Sequence, residues 1–120
     1  MLPLPDTQAY GIAFAERVAY ALQSGGSVYH RHRDYCGMGL WFEQECFCYD
    51  EIYDCGPHPL EEVKANGPAR GGHVFETRHA FVEWLAQQSD HSLAGFEHEN
   101  PFWHQNQRVT RARLQEELGC

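Results

Sequence analysis

The chain has 120 residues, 42% hydrophobic and 13% aromatic, which is the size and composition of one globular domain and excludes a disordered chain. Seventeen acids stand against nine bases, a net charge of −8, so nucleic acid and anionic membranes are poor partners and a basic protein is a natural one. No stretch approaches the roughly 20 apolar residues of a membrane span, and the opening MLPLPDTQAY has no basic n-region, so the expectation is a soluble cytoplasmic protein.

Asp6 is a suitable helix N-cap. Tyr10, Phe14, Val18 and Leu22 then recur every four residues, which predicts a helix over 7–24, stopped by Gly25-Gly26. Gly11 weakens its first turn. Residues 27–33 alternate as a strand, with Val28, His30 and His32 on one face. Gly37-Met38-Gly39 permits a bend, 40–43 reads as a second strand, and 46–53 as a third, after a tight turn at Gln44. Seven of the eighteen residues 55–72 are Gly or Pro, which reads as a loop. Val74 and Phe75 suit a short fourth strand. Thr77 caps a second helix whose apolar face is Phe81, Val82, Trp84 and Leu85 and which ends at Ser89-Asp90. Residues 95–107 read as irregular, anchored by Pro101, Phe102 and Trp103. Thr110 caps a last helix, with Val109 and Leu114 spaced as a hydrophobic staple. The expected fold is a single α+β domain over 1–120. It is a small antiparallel sheet of three to four strands in a meander, with an N-terminal helix and two C-terminal helices on one side.

Five cysteines, Cys36, Cys46, Cys48, Cys55 and Cys120, are an odd number, which favours reduced thiols. Cys36, Cys46, Cys48 and Cys55 with His30, His32 or His58 have the donor types of a zinc site, but no Cys-x2-Cys pair is present. The competing reading is that Cys46 and Cys48 pack inward as small apolar side chains. Cys36 beside His30 or His32 has the residue types of a nucleophile and base. No hydrolase, P-loop or metalloprotease motif occurs, so no catalytic residue is assigned and the chain is not read as an enzyme.

The strongest asymmetry is charge. Eight acids and no Lys or Arg lie between Asp34 and Val63. On the third strand Tyr49, Glu51 and Tyr53 alternate with Asp50, Ile52 and Asp54. Tyrosine supplies buried area and a hydrogen bond, and carboxylates steer encounter, so Glu43, Glu45, Tyr49, Asp50, Glu51, Tyr53 and Asp54 are the candidate contacts for a basic protein partner. The alternatives are that the acids only maintain solubility and that the tyrosines are core. Arg108, Arg111 and Arg113, with His104, are expected to pair internally with the acidic block; the alternative is that they are held for an anionic partner.

Three stretches, RDYCGMGL at 33–40, FVEWLAQQSD at 81–90 and NQRVTRARL at 106–114, together resemble a group of small stand-alone bacterial proteins. In general style the group is similar to the immunity proteins that neutralise toxins of interbacterial competition systems. The resemblance implies a toxin-neutralising protein without a cofactor, either monomer or homodimer, whose partner is a cognate protein toxin or effector and not nucleic acid or membrane. A zinc protein and an acidic inhibitor that mimics nucleic acid are the alternative readings.

Overall fold

The computed structural model describes residues 6–31, 37–67, 72–94 and 109–120. It is an α+β fold, a four-stranded antiparallel sheet with helices from both ends of the chain. The strands are β1 (Met38–Glu43), β2 (Cys46–Tyr53), β3 (Gly56–Pro57) and β4 (His73–Phe75). The helices are α1 (Ile12–Gln23), α2 (Leu60–Asn66), α3 (Arg78–Ala86), α4 (Asp90–Ala94) and α5 (Arg111–Leu118).

Helix α1 starts five residues later than its periodicity suggests. Gly11 adopts φ 86, which a helix cannot continue through, and Asp6 accepts from the Gln8 N–H instead of capping. The Tyr10 and Gly11 N–H groups donate to the Gln88 and Ala86 carbonyls at 2.8 and 3.0 Å. These strands of backbone thus satisfy carbonyls that the end of α3 leaves open. The other end of α1 behaves as the glycine pair suggests. Gly26 N–H bonds to Ala21 O at 2.9 Å and Gly25 N–H to Leu22 O at 3.2 Å, with Gly25 at φ 105, which is a Schellman stop.

Both hairpins are two-residue turns with positive φ at each central position: Gln44 and Glu45 at 47 and 64, Asp54 and Cys55 at 58 and 72. Turns of this kind match the twist of antiparallel strands. β2 lies in the centre, with β1 on one edge and both β4 and β3 on the other. The strand expected at 27–33 reduces, among its described residues, to one bridge between Val28 and Leu40. β1 starts at Met38, two residues earlier than the pattern suggests. Gly39 is required there, because a Cβ would lie 2.6 Å from Tyr29 Cβ and 2.9 Å from both Ile52 Cγ1 and Val28 O.

One face of the sheet carries the large core. Leu40, Phe47 and Tyr49 pack against Phe14, Val18 and Leu22 of α1, Phe81 and Leu85 of α3, and Leu114 of α5. Phe47 stacks on Phe81 with centroids 4.5 Å apart, and Trp84 meets Tyr49, His73 and Phe75 at 5.3, 5.1 and 5.0 Å. Ring packing of this kind contributes about 0.5–1.5 kcal/mol per pair beyond area burial. The opposite face is not bare, contrary to the one-sided arrangement expected. Trp41, Cys46, Cys48 and Ile52 are covered by Leu60 and Val63 of α2. This helix occupies what reads as loop. Pro59 precedes its first residue, Glu61 and Glu62 favour its N-terminal dipole, and Gly67 ends it at φ 47.

The two threonine caps hold. Thr77 accepts from Ala80 N–H and Thr110 from Arg113 N–H, both at 3.1 Å. Val109 and Leu114 are both fully buried in the large core, as a staple requires. The second expected helix ends earlier, at Ala86, because Asp90 begins α4. Asp90 Oδ1 accepts from the Tyr10 hydroxyl and from the Arg111 N–H that opens α5, each at 2.7 Å. Burial, then the Asp90 carboxylate, pushes the Tyr10 phenol far up, so it remains a donor. Residues 95–108, where Pro101, Phe102 and Trp103 are the expected anchors and which include His104 and Arg108, lie outside the described residues, as do His32 and Cys36.

Candidate functional site

The acidic block folds into the hairpin and α2. Its seven expected contact residues are not one surface. Tyr49 and Asp50 are inside, 5% and 1% exposed, and are unavailable to a partner. The Tyr49 hydroxyl donates to Leu93 O at 2.9 Å. Asp50 faces the α2 side, where its carboxylate fills the space beside Gly72; a Cβ on Gly72 would sit 2.6 Å from Asp50 Oδ1. The reason is that β2 is a central strand covered on both faces, so alternation does not turn either set of side chains to solvent.

The remaining five lie at the two ends of the hairpin. Glu43 and Glu45 stand at the β1–β2 turn, and Glu51, Tyr53 and Asp54 at the β2–β3 turn. An eight-residue strand separates the ends by roughly 24 Å. Glu43 is half-buried and accepts from the Trp41 indole N–H at 2.9 Å. Tyr53 is 51% exposed, one of three large hydrophobic side chains exposed among the described residues. Asp54 is exposed in the turn. Sequence reasoning passed over Glu61 and Glu62 as contacts; both are exposed, on the first turn of α2, shortly after Pro57 pairs with Ile52. Their signal was the adjacent acid pair before Val63.

From Gly37 to Gly67 the acids are Glu43, Glu45, Asp50, Glu51, Asp54, Glu61 and Glu62, and Lys64 is the lone Lys or Arg. Lys64 Nζ lies 3.9 Å from Glu76, and His58 lies 3.6 Å from Glu62. The arginines serve elsewhere. Arg111 lies over the Tyr10 and Phe14 rings at 5.0 and 4.9 Å, and Arg113 pairs with Glu117 at 2.8 Å. Arg111 and Arg113 thus have partners within the helical part, and Arg108 lies outside the described residues.

The cysteines do not converge. Cys46 and Cys48 are buried, whereas Cys55 is exposed at the far end of β2. Burial first, then the Glu43 carboxylate, pushes the Cys48 thiol up to about 12, which favours a protonated, packed side chain over a thiolate. Among the described residues no group of three or more His, Cys, Asp or Glu is placed to hold a metal ion. None of their helices is long and apolar enough to cross a membrane. The chain matches no family model, no curated protein and no solved structure at a significant level.

Proposed function

We propose that this chain is a binding protein that occludes a basic protein partner with the β2–β3 turn and the first turn of α2, in the manner of an immunity protein. The observation that carries the reading is the run of surface carboxylates on the hairpin and α2, opposed there by Lys64 alone. Tyr53 supplies a half-exposed aromatic anchor next to Asp54 in the β2–β3 turn and on the same face of β2 as Glu51, while Glu61 and Glu62 add exposed charge on α2. Carboxylates of one sign accelerate encounter with a cationic surface, and a central aromatic holds the complex once formed. Glu43 and Glu45, at the other turn, add to the long-range field without sharing the contact. The likeness of three sequence stretches to immunity-type proteins points the same way.

The test is capture from lysate of the source organism with wild type and with Glu51→Lys/Asp54→Lys, washed at low and high salt. The expected result is a basic protein retained by wild type at low salt and depleted with the double variant, with slower association and a shallower salt dependence for the purified pair. The same proteins retained equally by both would defeat the assignment.

A further inference from the structure

The acidic hairpin leaves unexplained the outer face of α1. Ala13, Glu16, Arg17 and Tyr20 are spaced i, i+3, i+4 and i+7 and so share one side of the helix. All four are exposed, Tyr20 to 69%, although they stand on the longest helix of the fold. They line one wall of an open groove of about 830 Å³, whose other side includes Leu118 and Cys120 at the end of α5. Ile12, one residue before the set, is 51% exposed. Tyr20 and Ile12 are two of the three large hydrophobic side chains exposed among the described residues, and both stand on the outer side of α1.

The order of the four residues says what the surface fits. Along α1 it reads small, acid, base, large. Turned end for end it reads large, base, acid, small. We infer that α1 packs antiparallel against α1 of a second copy of this chain. A twofold axis between positions 16 and 17 then sets Glu16 opposite Arg17 of the second copy and Arg17 opposite its Glu16. The same operation lays each Tyr20 over the other copy's Ala13, where a small side chain leaves room for the ring. Two-fold dimers are isologous, so one self-complementary patch suffices. A parallel arrangement would oppose Glu16 to Glu16 and is disfavoured by like-charge repulsion. The patch is short, since twelve residues of helix span about 18 Å, so the dimer belongs to the small, concentration-dependent class of interfaces.

This surface lies on a different element from the acidic hairpin, and its test does not depend on the partner. Sedimentation at low salt, over a concentration series of purified full-length chain, should show the mass rising from 13.8 kDa toward twice that value. Arg17→Glu opposes four carboxylates across the axis and should weaken association by about tenfold or more. Glu16→Arg should do the same through four bases. Combining the two restores the complementary order with signs exchanged, and association should return to within about threefold of wild type, as coupling across one pair requires. Far-UV circular dichroism of each variant confirms folding, which surface charges on α1 should leave intact. A chain that remains monomeric throughout, single reversals without effect, or a double variant no better than the singles would each overturn the inference.

Discussion

The two faces of the sheet are built from different material. The face toward α1, α3 and α5 is closed by phenylalanines, leucines and Trp84 drawn from both ends of the sequence. The face toward α2 is closed by Trp41, two cysteines, Ile52 and two residues of one short helix. It also contains the buried Asp50 carboxylate, and α2, which covers it, exposes Glu61 and Glu62. The first face supplies stability through apolar area and aromatic contact. The second has little apolar area, and its outer surface is given to charge. The difference separates the face that holds the chain together from the face whose outer surface is charged, the one assigned to a partner in the proposed function.

Substitutions should sharpen this contrast. Phe81, fully buried and stacked on Phe47, should lose about 3–5 kcal/mol on change to alanine. Leu60→Ala on the α2 side should lose about 2 kcal/mol, the low end for such truncations, because its pocket is shallow and one-helix deep. Urea titration of both variants checks the ranking; equal losses would mean the two cores are one cooperative structure of even strength. Gly39→Ala also strikes the α2 side of the sheet, where the added methyl meets Tyr29, Ile52 and the Val28 carbonyl. A loss of about 1–3 kcal/mol is expected, comparable with Leu60→Ala and read by the same titration.

The smallest effect is electrostatic. His73 sits among Tyr49, Phe75 and Trp84, and burial lowers its pKa from the ordinary 6.5. The folded chain therefore binds this proton less readily than the unfolded one. The contribution of the neutral ring is fully present above pH 6.5 and is lost as pH falls through that value toward the folded pKa. Urea midpoints at pH 7.5 and 5.5 should differ more for wild type than for His73→Phe; an identical difference would remove His73 as the cause.

Much of the helical part was legible in the sequence because its signals are local. Thr77, Thr110, the Val109–Leu114 staple and the Gly25-Gly26 stop each act within one turn of helix, and each occurs. The start of α1 was hidden because Tyr10 and Gly11 bond to the end of α3, a contact between residues far apart in sequence. α2 was hidden by its surroundings. Glycine and proline dominate the segment, yet Pro59 and Gly67 stand at the positions where a helix begins and ends. That omission explains another. Without α2 the lower face of β2 reads as solvent-facing, and Asp50 as a contact; with α2 in place Asp50 is interior. The surface acids Glu45, Glu51 and Asp54 were visible as charge, but their division between two turns depends on strand pairing, which composition does not encode.

The carboxylate of Asp90 receives the Tyr10 hydroxyl from 80 residues away and the opening N–H of α5 from 21 residues away. α1, with Phe14, Val18 and Leu22 on its apolar side, is synthesised before the Val109 and Leu114 side chains that complete its core. A nascent chain that has not yet delivered residue 114 carries an uncovered apolar stripe and half of the Asp90 junction. Such a chain is prone to aggregate and suited to chaperone capture. A chain stopped before that point keeps the α3 and sheet contacts of α1 but leaves open the part of it that α5 covers, so the solubility of α1 depends on residues made much later.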